Sequence, residues 1–524
     1  MRRQQLSKKN MNPSKEKSYI TTPIYYVNGA PHIGHAHTTV MGDILKRNRA
    51  ALGIDAKLTT GCDEHGQKNQ EAALKSGMAV EDYLAMRSGE FRRVFDMLNV
   101  DYDYFVRTSR PGHMEQVARV EQKLMDEGAI VKKQYTGIYC TGCEQFKKPS
   151  DLNDEGRCPD HPSLVPEELD ETNYFFRIEP YREQLIRHIH DNPDFLSPPQ
   201  FRTALLRMLE EPLEDLCISR PIRRVSLGVR LPFDDDYVTY VWFDALINYL
   251  TNIGWPEPGY GPWWDTVEHL IGKDILKTHG IYWPIMLLAM GEKPPRRLSI
   301  HGHWVGPGGM KMSKTLGNVV DPVEVVDIFG ADALRYYLAR HMRSDGDSQI
   351  SIELIRQTYN SELGNKIGNL FSRAAKFASS RFDGKVPARG VPLEEDERVR
   401  AVVGEAVGGF ARQVEMFEIP RVTQAMVQAA EVLNEYFAAQ APWDLIKDPA
   451  TVERCGTVLY VTLDSLRLVF EALRQIIPTA SDKALETLGC LPVAPDGEAW
   501  RPAADRLSEG QGLGPVPTLF PRVT

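Results

Sequence analysis

The 524-residue chain predicts an α/β protein in several domains: a parallel-sheet region split by an insertion, followed by an all-α helical region. Three observations carry this. Runs of β-branched and aromatic residues alternate with helix-period segments up to Glu127, and again after residue 233. Between them, from Ile130 to Pro232, cysteine pairs, proline clusters and short irregular pieces replace the alternation. From Ile350 to Ile477 apolar positions recur with helical period and strand signals are scarce. A hydrophobic content of 42% and a charged content of 25% are those of an ordinary soluble chain. The net charge of −9 argues against bulk nucleic-acid affinity. It leaves room for a folded RNA read by shape and a few splayed bases. No apolar run reaches membrane-spanning length and no secretory core follows the first residues. Seven cysteines, an odd number, then favour thiols in a reducing compartment, so a cytoplasmic protein without a membrane is expected.

The elements follow in order. Residues 1–18 form a polar, basic tail. Ile20 to Tyr26 is β-branched and aromatic, as in a buried strand, and Asn28-Gly29-Ala30-Pro31 breaks it. The next segment places Ala36, Val40, Met41 and Ile44 on one helical face. His32-Ile33-Gly34-His35 therefore sits where a strand ends and a helix begins, a place that favours an anion. Gly34 lets a group approach the backbone closely. A second short strand is expected to end at Thr60, with Asp63 and His65 at its carboxyl edge. Helical patterning from Val80 to Leu98 and from Arg110 to Glu127 completes a β-α-β-α unit over 19–129, a Rossmann-like half. The insertion covers 130–232. The second half, 233–303, opens on a sheet-like run from Tyr237 to Asp244 and continues with His269 to Asp274, a helix through Met290, and a last strand from Leu298. Residues 304–350 hold a glycine-preceded lysine loop and a helix start at Asp321-Pro322. Residues 351–480 read as a helical bundle. The final stretch, 481–524, is rich in proline and glycine and is expected to pack irregularly over the surface.

Two constellations carry chemistry by spacing. Cys140-x2-Cys143, fourteen residues, then Cys158-x2-His161 matches a tetrahedral zinc knuckle. Four protein ligands close the shell, so one structural Zn2+ is expected, holding an insertion with little core of its own. Lys311 and Lys314 flank Ser313 on a loop that could close over a polyphosphate. By spacing alone, Trp242, Tyr249, Trp283 and Trp443 read as core aromatics.

His32-Ile33-Gly34-His35 and Lys311-Met312-Ser313-Lys314-Thr315 together resemble the paired signatures of the class I aminoacyl-tRNA synthetases. Asp63-Glu64-His65-Gly66, the knuckle, Cys217-Ile218-Ser219-Arg220, Val241-Trp242-Phe243-Asp244-Ala245, Ile271-Gly272-Lys273-Asp274, Gly368-Asn369-Leu370 with Arg373, and Ala441-Pro442-Trp443 are similar to the methionyl-tRNA synthetase family. The likeness spans Tyr19 to Pro478. It implies ATP-dependent ligation of L-methionine to tRNA(Met), including the initiator, through a methionyl-adenylate. Ile24, Tyr26, Asp63, Trp242, Ala245, Tyr249, His279 and Trp283 would form the methionine pocket. His32, Gly34, His35, Gly272, Asp274, Lys311 and Lys314 would bind ATP with its Mg2+, and His32, His35, Lys311 and Lys314 would be catalytic. Asn369, Arg373 and Trp443 would read the anticodon, making the helical region an anticodon-binding domain. A monomer is expected. Thr315, Cys62 and His161 depart from the family pattern. Another class I synthetase, or a non-catalytic tRNA-binding relative, would share part of these signatures.

Overall fold

The computed structural model describes residues 16–140, 142, 145–159, 162–312, 319–343, 346–490 and 507–524. The first half runs β1 (Lys17–Tyr26), α1 (Ile33–Ala51), β2 (Asp55–Asp63), α2 (Gln67–Ser76), α3 (Val80–Met97), β3 (Tyr104–Arg107) and α4 (Pro111–Asp126). Then come β4 (Ile130–Cys140), β5 (Gln145–Lys147), β6 (Glu167–Phe176), α5 (Arg182–Asp191), β7 (Leu196–Ser197), α6 (Gln200–Met208), β8 (Leu216–Cys217), β9 (Ser219–Pro221), β10 (Arg230–Leu231) and β11 (Asp234–Thr239). The second half holds α7 (Val241–Thr251), α8 (Gly261–Trp264), β12 (Glu268–Gly272), α9 (Trp283–Met290), β13 (Arg297–His301) and β14 (Trp304–Val305). A stem of α10 (Pro322–Phe329), α11 (Ala331–His341) and β15 (Ser348–Gln349) leads to the helices.

Six strands form one sheet in the order β3-β2-β1-β12-β13-β7, all parallel. The chain steps outward in one direction from β1 to β3 and in the other from β12 to β13. The order therefore reverses between β1 and β12, and a crevice opens at their carboxyl ends. The face of α1 expected from its period packs inward: Ala36, Val40, Met41 and Ile44 are at most 2% exposed. β2 extends three residues beyond Thr60 and still delivers Asp63 at its end.

Three parts differ from the sequence reading. Val241 to Asp244 is the first turn of α7, not strand. A short apolar run does not separate a strand from a buried helix, and α7 buries most of its length. The strand before it, β11, pairs with β9 and β10 outside the main sheet. The segment read as irregular contains an antiparallel sheet, β5-β4-β6-β8, whose β4–β6 ladder runs from Ile130↔Phe176 to Tyr139↔Glu167. Within it the chain returns at β7 to pair with β13 and close the edge of the main sheet.

The remaining helices are α12 (Ile352–Thr358), which continues through a π-helical stretch into α13 (Asn369–Arg381), α14 (Glu394–Gly408), α15 (Phe410–Glu415), α16 (Ile419–Gln440), α17 (Pro442–Leu445), α18 (Val452–Leu473) and α19 (Pro478–Thr487). One apolar core is continuous from α1 and α3 through α11 into these helices. Two arginines lock the junction. Arg335 of α11, with no exposed surface, pairs with Asp43 of α1 at 2.6 Å and donates to the carbonyls of Leu98, Gln475 and Ile476. Arg49 of α1 bridges Glu268 of β12 and Glu415 of α15. Residues 507–524 pack against the bundle: the Tyr359 hydroxyl donates to the Pro521 carbonyl, and Asn360 exchanges two hydrogen bonds with Val523. No helix among the described residues is long and apolar enough to cross a membrane.

Candidate active site and anticodon surface

His32 is the N-cap of α1. Its Nδ1 accepts from the Gly34 N–H at 3.1 Å, and the Nδ1 of His35 accepts from the His32 N–H at 3.2 Å. With both Nδ1 atoms accepting, a neutral imidazole carries its proton on Nε2 and presents it as a donor. The rings stack with centroids 3.6 Å apart. A methyl group at position 34 would lie 3.0 Å from the His32 ring, so glycine keeps the stack in place. Burial against Tyr25 and Phe91, and then the neighbouring His32, hold His35 well below the usual histidine range. The motif thus offers Nε2–H donors at a helix start, where growing negative charge on a phosphate is favoured.

Beside it, Pro23, Ile24, Tyr26, Asp63, Trp242, Ala245, Leu246, Asn248, Tyr249 and His279 line one small cavity. Seven of the eight residues expected for the amino-acid pocket meet there. Trp283 is the exception: it stands behind, with its ring 5.9 Å from Tyr249 and its indole N–H donating to His269 Nε2 at 3.0 Å. That bond makes His269 Nδ1 the donor to Thr21 Oγ1, at 2.6 Å. By the same logic His279 donates from Nδ1 to the Ile275 carbonyl and accepts on Nε2 from the Tyr249 hydroxyl at 2.9 Å. Burial pushes His279 down to about 4, so it stays neutral and keeps that acceptor. His269 was not anticipated from the sequence, although it stands second in the strand that ends in Gly272.

Asp63 is 4% exposed at the end of β2 and accepts from the His65 N–H at 3.3 Å. His65 also pairs with Asp244 of α7, which accepts from His113 Nε2 of α4 at 2.8 Å. Burial pushes the Asp244 carboxyl up, but the two histidines outweigh it and hold it down to about 2. Asp244 sits one residue before Ala245 and five before Tyr249, so this cluster fixes the pocket wall.

On the other side of the crevice, Gly272 ends β12. A side-chain carbon there would meet the Asp274 carboxylate at 2.5 Å. Asp274 accepts from His303 at 2.9 Å, and Lys273 pairs with Asp347 at 2.6 Å. After β14, Gly308 and Gly309 take φ of 76° and 78°, a bend open to glycine, and deliver Lys311 to the surface. Lys314 lies outside the described residues.

In the helical region Arg373 of α13 lies over two rings, Phe437 at 5.3 Å and Trp443 at 5.7 Å. Lys376, Phe377 and Ser380 complete an exposed cavity of about 300 Å³ around them. Trp443 follows Ala441, whose φ of 41° turns the chain between α16 and α17, and it remains 38% exposed. Asn369 is exposed one turn before Arg373 on α13. Phe437 and Lys376 were not anticipated.

In the insertion, Cys140 ends β4 and is 1% exposed, and Cys158 is fully buried. Cys143 and His161 lie outside the described residues. Among the described residues no group of three histidine, cysteine or acidic side chains is placed to hold a metal.

The chain is similar to known proteins over most of its length. A family model described as tRNA synthetases class I (M) matches residues 18–164 and 162–375, and one described as the anticodon binding domain of methionyl tRNA ligase matches 386–524. The methionine–tRNA ligase of Clostridium tetani is 37% identical over 97% of this chain and 79% of its own length. That of Rickettsia felis is 36% identical over 91% and 92%. The solved structure of Mycobacterium tuberculosis methionyl-tRNA synthetase in complex with methionyl-adenylate has a TM-score of 0.91 at 33% identity, covering 97% of this chain and 100% of that one. The apo form of that enzyme gives 0.83 at 30% identity.

Proposed function

The chain belongs to the methionine–tRNA ligases of the class I aminoacyl-tRNA synthetases, and from that premise we propose how its own residues divide the work. The enzyme joins methionine to tRNA through a methionyl-adenylate. The single observation that carries the site reading is the convergence of Ile24, Tyr26, Asp63, Trp242, Ala245, Tyr249 and His279 on one cavity beside the histidine motif. Tyr26, Trp242 and Ile24 surround the thioether apolarly, Asp63 takes the α-ammonium, and Tyr249 and His279 define the far wall. The methionine carboxylate attacks the α-phosphorus of ATP. His32 and His35 donate from Nε2 to the phosphate oxygens as charge grows, Gly272 and Asp274 hold the nucleoside side, and Lys311 and Lys314 neutralise the departing pyrophosphate. No covalent enzyme intermediate is needed. Mg2+ accompanies ATP. The ribose of the tRNA's terminal adenosine then attacks the acyl carbon, and AMP leaves. Arg373 and Trp443, with Asn369, stack on and read anticodon bases, a reading supported by the exposed aromatic surface under Arg373.

For the insertion we propose one structural Zn2+ on Cys140, Cys143, Cys158 and His161. The x2 spacing of the two pairs supports this, with Cys140 and Cys158 both turned into the interior of the insertion. The zinc tethers the insertion and takes no part in the reaction. A cytoplasmic location fits the seven cysteines, an odd number of thiols in a chain without a secretory core.

The test is exchange of pyrophosphate into ATP, without tRNA, with each amino acid in turn. Methionine alone should drive it. Exchange with a different amino acid would overturn the pocket assignment.

A further inference from the structure

A second cavity, of about 570 Å³, opens on the same carboxyl edge of the sheet, two strands out from the crevice. Arg92 of α3, Arg107 at the end of β3 and Arg110 line it, with Ser88 and Ser109, while Ala85 and Gly89 leave room. Arg107 is balanced by the buried Glu64 at 2.6 Å. Arg92 lies over the Phe105 ring at 4.7 Å, and neither it nor Arg110 has a carboxylate within ion-pairing distance among the described residues. In a chain of net charge −9, two uncompensated guanidinium groups beside a third, gathered in one hollow on the reaction face, mark a site for an anion. Guanidinium forks match phosphate oxygens in particular.

We propose that this cavity holds a backbone phosphate of the single-stranded 3′ end of the tRNA as that strand enters the crevice. Placement selects this source over the phosphates of ATP. The lysine loop follows β14, beyond β12 and β13, so the triphosphate extends to that side of the crevice. The cavity lies on the opposite side, past β2, where the methionine wall stands. The two sites also share a scaffold. Ser88, Arg107 and Ser109 all donate to Glu64, the neighbour of Asp63, and Thr108 Oγ1 accepts the Glu64 N–H at 2.9 Å. A strand seated on the arginines is thereby registered against the residue assigned to the methionine ammonium.

The inference rests on tRNA being the second substrate. Its test is the double variant Arg92→Gln/Arg110→Gln in the full chain; both residues are exposed, so the fold is not at stake. Methionine-dependent pyrophosphate exchange should be unchanged, while kcat/KM for tRNA falls about tenfold or more and its salt dependence becomes shallower by one to two contacts at roughly 0.7 log units each. A short oligoribonucleotide with the tRNA's 3′ sequence should inhibit charging by the wild type and lose potency on the variant, with inhibition by inorganic pyrophosphate the same for both. Unchanged charging overturns the proposal. So does an equal loss of exchange and charging, and so does a loss of pyrophosphate inhibition, which would give the cavity to the leaving group. Absence of methionine-dependent exchange in the wild type would instead defeat the functional reading itself.

Discussion

Replacing Asp244 by Asn tests the pocket scaffold most directly. Asp244 is completely buried between His65 and His113 and is held at about 2, against 3.8 for the free carboxyl. That depression of nearly two units corresponds to about 2 kcal/mol of folding free energy carried by the charged form. Asn keeps the shape and can still bond both imidazoles, so the loss should be close to that figure and not the larger cost of a deleted partner. The sign follows from the depressed value. The contribution is whole above the unfolded carboxyl's range, near pH 4, and disappears only as the pH falls toward 2. Urea unfolding of wild type and variant should therefore show a constant gap of about 2 kcal/mol from pH 8 to pH 5. The KM for methionine should rise with it, because α7 carries Trp242, Ala245 and Tyr249. A gap that changes between pH 7 and pH 5 would mean that a group other than the buried carboxylate supplies the stability. No gap at all would refute the electrostatic account.

Other changes have equally defined outcomes. Tyr249→Phe removes the donor to His279 Nε2 and leaves a buried acceptor unpaired, a cost of about 1–3 kcal/mol that should appear as a raised KM for methionine in pyrophosphate exchange. His279 is held neutral down to about 4 against 6.5 when free, so its share of stability is whole above pH 6.5 and drains away toward pH 4. His279→Gln should reduce the proton uptake on unfolding in that window by about one, as measured from the pH dependence of the urea midpoint. Trp443→Ala should cost about 1–3 kcal/mol in tRNA binding, read as a higher KM for tRNA in charging, with pyrophosphate exchange intact. Cys158→Ala should abolish the expected single zinc, measured by elemental analysis of the purified protein, and expose the hairpin to proteolysis.

The turn from β1 into α1 was legible because both periods are strong there and Asn28 to Pro31 punctuates them. The crevice followed, since the motif sits at a strand's carboxyl end. The edge of the sheet was not legible. β3 is four residues, Tyr-Phe-Val-Arg, and β7 is two, and each is a strand only because a longer neighbour lends it hydrogen bonds. The β4–β6 hairpin was hidden for a related reason: its strands carry lysines and acids on an open face, and its pairing spans dozens of residues. The scaffold behind the pocket was invisible in principle. His65 and Asp244 are 179 positions apart and His113 and Asp244 are 131 apart, so no local pattern joins them. The residues lining the small cavity were singled out through family likeness, not through periodicity, which files a tryptophan such as Trp242 under core.

The junction formed by Arg335 and Arg49 has a consequence for what the molecule can measure. A guanidinium with no exposed surface, tied at once to α1, the end of α3 and the carbonyls before α19, makes the two halves one stiff body. With the roles proposed for the stacked histidines and the Trp443 surface, the span between them is then a fixed length, and the enzyme works as a caliper. A tRNA whose two ends are set too far apart or too close together, by a base pair added to or removed from its stems, should fit either jaw alone but not both together.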